Sequence, residues 1–180
     1  MKKFLIIAAF VLIALVVLIL VIALFIKKQY SVEREISIAK SKQNIYDYVK
    51  YLKNQDNFSV WAKIDPSMKK DYRGTDGTVG FVAAWDSNIK KAGKGEQEIK
   101  KIDDGVRIDY EIRFLEPMKS TSDAFLAFKS VNDDVTIVRW GVYGKIKYPM
   151  NLMLLFMDMD SMLGKDLEDG LKNLKAELEK

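Results

Sequence analysis

From Phe4 to Ile26 the chain runs through 23 consecutive apolar residues, with no charge, glycine, proline or serine among them. No other feature constrains the fold as strongly, because a run this apolar cannot stay in contact with water in an ordinary globular domain. As a helix it extends roughly 34 Å, enough to cross the hydrocarbon core of a bilayer with some tilt. A secretory signal peptide has a shorter apolar stretch of about 7–15 residues, which ends at small residues before a cleavage site. Here the run ends in Leu24-Phe25-Ile26 and then Lys27-Lys28. Residues 1–28 are therefore expected to be an uncleaved, single-pass membrane anchor with basic flanks. Residues 29–180 remain to fold as one domain of ordinary size.

The charge is distributed accordingly. Net charge is +4, from 29 basic and 25 acidic residues. Four of the basic residues, Lys2, Lys3, Lys27 and Lys28, flank the apolar run, and the other 25 balance the 25 acidic ones. A nucleic-acid-binding domain carries a basic face of its own, so no nucleic-acid partner is expected. With lysines on both sides of the span, the positive-inside rule selects no orientation. Histidine and cysteine are both absent. Their absence excludes disulfides, metal sites built on thiolate or imidazole, Ser-His-Asp triads and thiol nucleophiles.

Beyond the anchor the first strand-like run is Tyr30 to Ala39. The few residues between them reach about 13 Å when extended, which keeps the domain beside the lipid headgroups. A helix follows, capped by Ser41, with Ile45, Tyr48, Val49 and Leu52 on one face. A second short helix carries Phe58 and Trp61 and stops near Asp65-Pro66, since the residue before a proline avoids helical geometry. From Met68 to Ile146 the pattern changes to about six alternating runs. They are separated by turn residues at Gly74-Thr75-Asp76-Gly77, Asp86-Ser87-Asn88, Asp103-Asp104-Gly105, Glu116-Pro117 and Asn132-Asp133-Asp134. The clearest run has Val106, Ile108, Tyr110, Ile112 and Phe114 alternating with Arg107, Asp109, Glu111 and Arg113, which gives one buried and one wet face. Val79, Phe81, Ala83 and Trp85, and likewise Val138, Trp140 and Val142, make faces of the same kind. The last helix, about Ser161 to Leu178, carries a stripe of Leu163, Leu167, Leu171, Leu174 and Leu178. A sheet with one apolar face needs a cover, and this helix is long enough to supply it.

The order is strand, two small helices, antiparallel meander and long helix. Particular residues extend the likeness: Trp61 through Asp65-Pro66, Gly74, Gly77, Gly80 and Trp85; Phe114 with Pro117-Met118; Tyr148-Pro149-Met150-Asn151-Leu152; and Gly164-Lys165-Asp166 with Gly170-Leu171 and Leu174-Lys175. From Tyr30 onward the chain resembles the polyketide cyclase/dehydrase-type branch of the START-like SRPBCC superfamily, and small bacterial members with an N-terminal membrane segment are similar throughout. The resemblance implies an α+β helix-grip fold. In it a curved antiparallel sheet of about seven strands wraps a long C-terminal helix, here with one N-terminal transmembrane helix added. It also implies a hydrophobic cavity between sheet and helix that takes lipids, polyketides or other apolar small molecules. It does not imply a reaction.

On that basis the expected cavity lining is Trp61, Phe81, Trp85, Tyr110, Ile112, Phe114, Trp140, Met153, Phe156, Met157, Leu163, Leu167 and Gly170. Five of the eight methionines fall between Tyr148 and Leu163: Met150, Met153, Met157, Met159 and Met162. Thioethers at Met-x-x-Met spacing bind Cu(I). Here they lie among Leu152, Leu154, Leu155 and Phe156, with no histidine or cysteine to strengthen a site, so packing is favoured over metal. Plain core filling and the pliable wall of a cavity both remain open. A third option, a wall that also dips into the membrane beside the short tether, has Asp158 and Asp160 against deep insertion. Gly170, on or beside the leucine stripe, is open to two readings as well: close packing of helix on sheet, or room for a ligand. Arg107, Asp109, Glu111, Arg113 and Arg139 lie on the wet phase and read as cross-strand surface pairs rather than an acid/base group. No catalytic group, metal site or cofactor is assigned. The expected function is membrane-anchored binding of a hydrophobic small molecule or lipid. Its rivals are a cyclase- or dehydrase-like enzyme using the same cavity and an interaction module with no open pocket.

Overall fold

The structure, a computed structural model, describes residues 2–180, so Met1 of the expected anchor lies outside them. Seven strands follow one another as β1 (Gln29–Ile38), β2 (Lys69–Arg73), β3 (Val82–Asp86), β4 (Lys94–Asp103), β5 (Arg107–Glu116), β6 (Ser120–Asn132) and β7 (Val135–Lys145). The helices are α1 (Lys2–Phe25), α2 (Lys42–Val49), α3 (Gln55–Phe58) and α4 (Met159–Leu178), with short 3-10 turns at Leu52–Asn54, Trp61–Lys63 and Met150–Leu155. These elements build two compact units. One comprises residues 31–144 and 159–180, and the other comprises the chain up to residue 30 together with 145–158.

The larger unit is organised by the sheet, a curved antiparallel array in the order β1-β7-β6-β5-β4-β3-β2. Strands β2 to β7 form a meander, and each reversal falls at one of the turns marked in the sequence. At two of them, Gly74 (φ +88°) and Gly105 (φ +66°) take a left-handed backbone that a side chain would strain. The alternation predicted for β5 is realised: Ile108 and Tyr110 are buried, while Arg107 and Asp109 lie half-buried on the other face. Val79 and Val106, predicted on the buried face, are exposed instead. β3 begins at Val82 and β5 at Arg107, so both valines sit in the preceding loops, outside the pleat that sets the alternation.

Ser41 caps α2 as expected, its hydroxyl accepting from the Asn44 N–H at 3.3 Å. In α4 the stripe is buried at Leu167, Leu171 and Leu174 and half-buried at Leu163 and Leu178. Each fully buried leucine stabilises the fold by about 1.5–3 kcal/mol. Polar contacts fix how α4 lies. Arg34 donates to both carboxylate oxygens of Asp160 at 2.9 and 2.8 Å, Lys175 Nζ donates to the Ser37 carbonyl at 2.7 Å, and Asn173 Nδ2 donates to the Phe58 carbonyl at 3.0 Å.

The smaller unit is organised by α1. Its side chains from residue 2 to residue 19 are exposed, Leu20 is half-buried and Ala23 is fully buried. The segment 145–158 is tied to the end of this helix. Ile146 N–H donates to the Lys28 carbonyl at 2.8 Å. Asn151 Nδ2 donates to the carbonyls of Ala23 at 2.7 Å and Ile26 at 3.1 Å. The Tyr148 hydroxyl donates to the Leu20 carbonyl at 3.3 Å.

Candidate functional site

A cavity of about 390 Å³ lies in the larger unit, between the sheet, the α3 region and the first turns of α4. The strands build its floor by their two-residue period: Ala83 and Trp85 from β3, Gln97 from β4, Ile112 and Phe114 from β5, Ala124 from β6, Trp140 and Val142 from β7. The register aligns these residues, with Ala83 opposite Gln97 and Gln97 opposite Ile112. One wall comes from Leu52, Gln55, Ser59, Trp61 and Ala62, and Met162, Leu163 and Asp166 complete it from α4.

The three tryptophans of the chain, Trp61, Trp85 and Trp140, all line this cavity. Trp85 lies across Gly95, where an added Cβ would come within 2.5 Å of its Cζ2 atom, and its indole N–H donates to the Ala92 carbonyl at 3.1 Å. It meets Phe114 edge-on with ring centroids 6.1 Å apart. Trp140 is edge-on to both Phe58 at 5.6 Å and Trp61 at 5.8 Å. These contacts hold large rings against the walls rather than across the space.

Of the thirteen residues expected from the sequence, six line the cavity: Trp61, Trp85, Ile112, Phe114, Trp140 and Leu163. Phe81, Tyr110 and Leu167 are buried in the surrounding core, with Phe81 stacked on Tyr72 at 6.1 Å. A Cβ on Gly170 would stand 2.7 Å from Trp140 Cζ3, so this glycine lets the helix close onto the indole. Met153, Phe156 and Met157 belong to the other unit, and Phe156 is 87% exposed.

The polar lining was not anticipated. Gln55 is only 8% exposed, and its Nε2 has no hydrogen-bond partner among the described residues. Behind the lining, in the core, the Tyr110 hydroxyl is likewise buried without a partner among the described residues. Burial pushes its pKa well above the usual tyrosine range, with the nearby Gln55 amide acting in the opposite direction. Elsewhere on the lining, Lys70 pairs with Asp56 at 2.7 Å, and the Tyr72 hydroxyl donates to the same carboxylate at 3.1 Å. Burial and the Asp56 charge raise Tyr72 to about 12, so at neutral pH it is a donor. A signal for this wall exists in the sequence: Leu52, Gln55 and Ser59 recur at the three- and four-residue spacing of one helical face.

The charged residues on the other phase of the sheet pair with one another. Arg113 donates to Glu96 at 2.7 Å and Glu98 at 2.6 Å and also binds Glu111. Arg107 pairs with Asp109 at 2.8 Å and Arg139 with Glu35 at 3.4 Å. Among the described residues no group of three or more carboxylates is placed to hold a metal ion.

Comparison with known proteins bears on the fold. No protein-family model and no curated protein matches the chain. Solved structures do match. A protein from Nitrosospira multiformis is 18% identical with a TM-score of 0.57, the match covering 83% of this chain and 96% of that one. Ara h 8.0201 is 12% identical with a TM-score of 0.55, covering 83% and 97%. Norcoclaurine synthase from Thalictrum flavum, solved in complex with dopamine and hydroxybenzaldehyde, is 11% identical with a TM-score of 0.59, covering 83% and 87%. At these identities the likeness concerns architecture alone, and the architecture of this chain is the START-like helix-grip fold.

Proposed function

We propose that this chain is a membrane-anchored binding protein for a hydrophobic small molecule or lipid. The observation that carries the reading is a cavity of about 390 Å³, walled by three tryptophans, Ile112, Phe114 and Leu163. That volume falls within the range of about 300–1,000 Å³ common to small-molecule pockets. Apolar contact supplies the affinity. The complex of norcoclaurine synthase with dopamine and hydroxybenzaldehyde is in keeping with a cavity of this kind.

Membrane anchorage rests on α1. It is the one helix among the described residues long and apolar enough to cross a bilayer, and none of its most apolar window is buried. A core helix of a water-soluble protein would bury one face. Lysines at both ends suit the two headgroup layers.

An enzyme of cyclase or dehydrase type keeps one observation in its favour, the Lys70–Asp56–Tyr72 group on the cavity lining. With Tyr72 at about 12 and already donating to Asp56, this group suits holding a substrate better than moving its proton. Native mass spectrometry of the full chain, released gently from membranes, tests the proposal. The expected spectrum contains a non-covalent apolar adduct that is released with its mass unchanged. A protein with no adduct, or one that converts the adduct, contradicts simple binding.

A further inference from the structure

The methionine-rich stretch that the sequence offered as a cavity wall has a different setting in the smaller unit. From Tyr148 to Met157 it contains no charged residue. Four of its large side chains are exposed: Tyr148, Met150, Leu155 and above all Phe156. Its polar exception, Asn151, is fully buried and turned onto the end of α1. The last four carbonyls of any helix lack intrahelical partners, and in water the solvent satisfies them. In a bilayer no such donor is available, and each orphan is costly. The Asn151 amide donates to two carbonyls there, those of Ala23 and Ile26.

The depth of the segment follows from the other ties. Ile146 N–H on the Lys28 carbonyl brings Lys145 and Lys147 alongside Lys27 and Lys28. The Tyr148 hydroxyl reaches the Leu20 carbonyl, which lies five residues, or roughly 8 Å of helix, before Phe25. Tyrosine at the boundary and lysines at phosphate level are the usual arrangement of a membrane interface.

We propose that residues 148–157 are seated in the boundary layer of the same bilayer that α1 crosses. There Tyr148, Met150, Leu155 and Phe156 face lipid, and Asn151 serves as the donor that closes the helix end. This rests on the anchorage proposed above. The occupant is phospholipid, and Asp158 ends the immersed stretch.

The absence of native cysteine makes a site-specific test straightforward. Single-cysteine variants Leu12→Cys, Met150→Cys and Phe156→Cys of the full chain are labelled with bimane. They are placed in vesicles of phosphatidylcholine and phosphatidylglycerol that carry nitroxide lipids, spin-labelled either near the head group or near the chain end. The expected result is that the Leu12 label loses most of its emission to the deep nitroxide, while those at Met150 and Phe156 lose most of theirs to the shallow one. Quenching at Leu12 with water-like, unquenched emission at both other sites would overturn this proposal and leave the anchor standing. No quenching at Leu12 would sink the anchorage and this proposal with it. All three positions are exposed, so the label does not disturb packing.

Discussion

Gln55 and Gly170 show how single residues set this site. In Gln55→Leu the side chain keeps its size and loses an unpaired donor, so the ligand-free protein holds its thermal midpoint or gains up to about 1 kcal/mol. Thermal unfolding of the full chain in detergent reads the effect. Gly170→Ala runs against helix propensity. Alanine favours a helix interior by about 1 kcal/mol, yet the added Cβ stands 2.7 Å from Trp140 Cζ3. Displacing a packed indole costs about 1–3 kcal/mol, and the net result is a lower unfolding midpoint. The sequence showed Gly170 near the leucine stripe but not what faces it, because a helical period gives the direction of a side chain and not its partner. Gln55 was missed for a related reason. Patterning treats a polar residue as outward-facing, and only its three-residue spacing from Leu52 places it on the inward side.

At the scale of elements, β5 and α4 were legible because each has one dry and one wet side, and periodicity records that contrast directly. Where an element buries both sides or leaves the pleat, the signal fails, as it does at Val79 and Val106 just outside their strands. The stretch 148–157 was legible as apolar. Apolar composition does not say whether the neighbour is sheet, helix or lipid, and in the structure that stretch is grouped with α1. The wet face of the sheet gives a pH dependence. Hydrogen bonds from Arg113 hold Glu96 and Glu98 below the ordinary glutamate value of 4.5. Carboxylates depressed in the folded state contribute stability in full above their unfolded pKa and lose it as pH falls through the folded one. Stability is therefore expected to decline on acidification below about 4.5. Glu98→Gln is less stable than the parent at neutral pH, and the difference narrows in acid. Unfolding midpoints measured from neutral pH downward check both signs.

For the molecule as a whole, the order of elements was enough to anticipate the helix-grip fold, since a one-faced sheet needs a cover and only one later helix supplies it. The cavity itself is not encoded in any pattern, because empty space is a difference between two packed surfaces. Its volume argues against the rival in which the interior is filled and nothing binds. The most direct test uses the three cavity-lining tryptophans, which are also the only tryptophans in the chain. The full chain in lipid nanodiscs is titrated with a brominated fatty acid while tryptophan emission is followed, beside an Ala83→Phe variant that fills the floor. Saturable quenching in the parent, much weakened in the filled variant, is the predicted result. Emission unchanged at saturating ligand, or quenched equally in both proteins, would contradict an open cavity that takes an apolar guest.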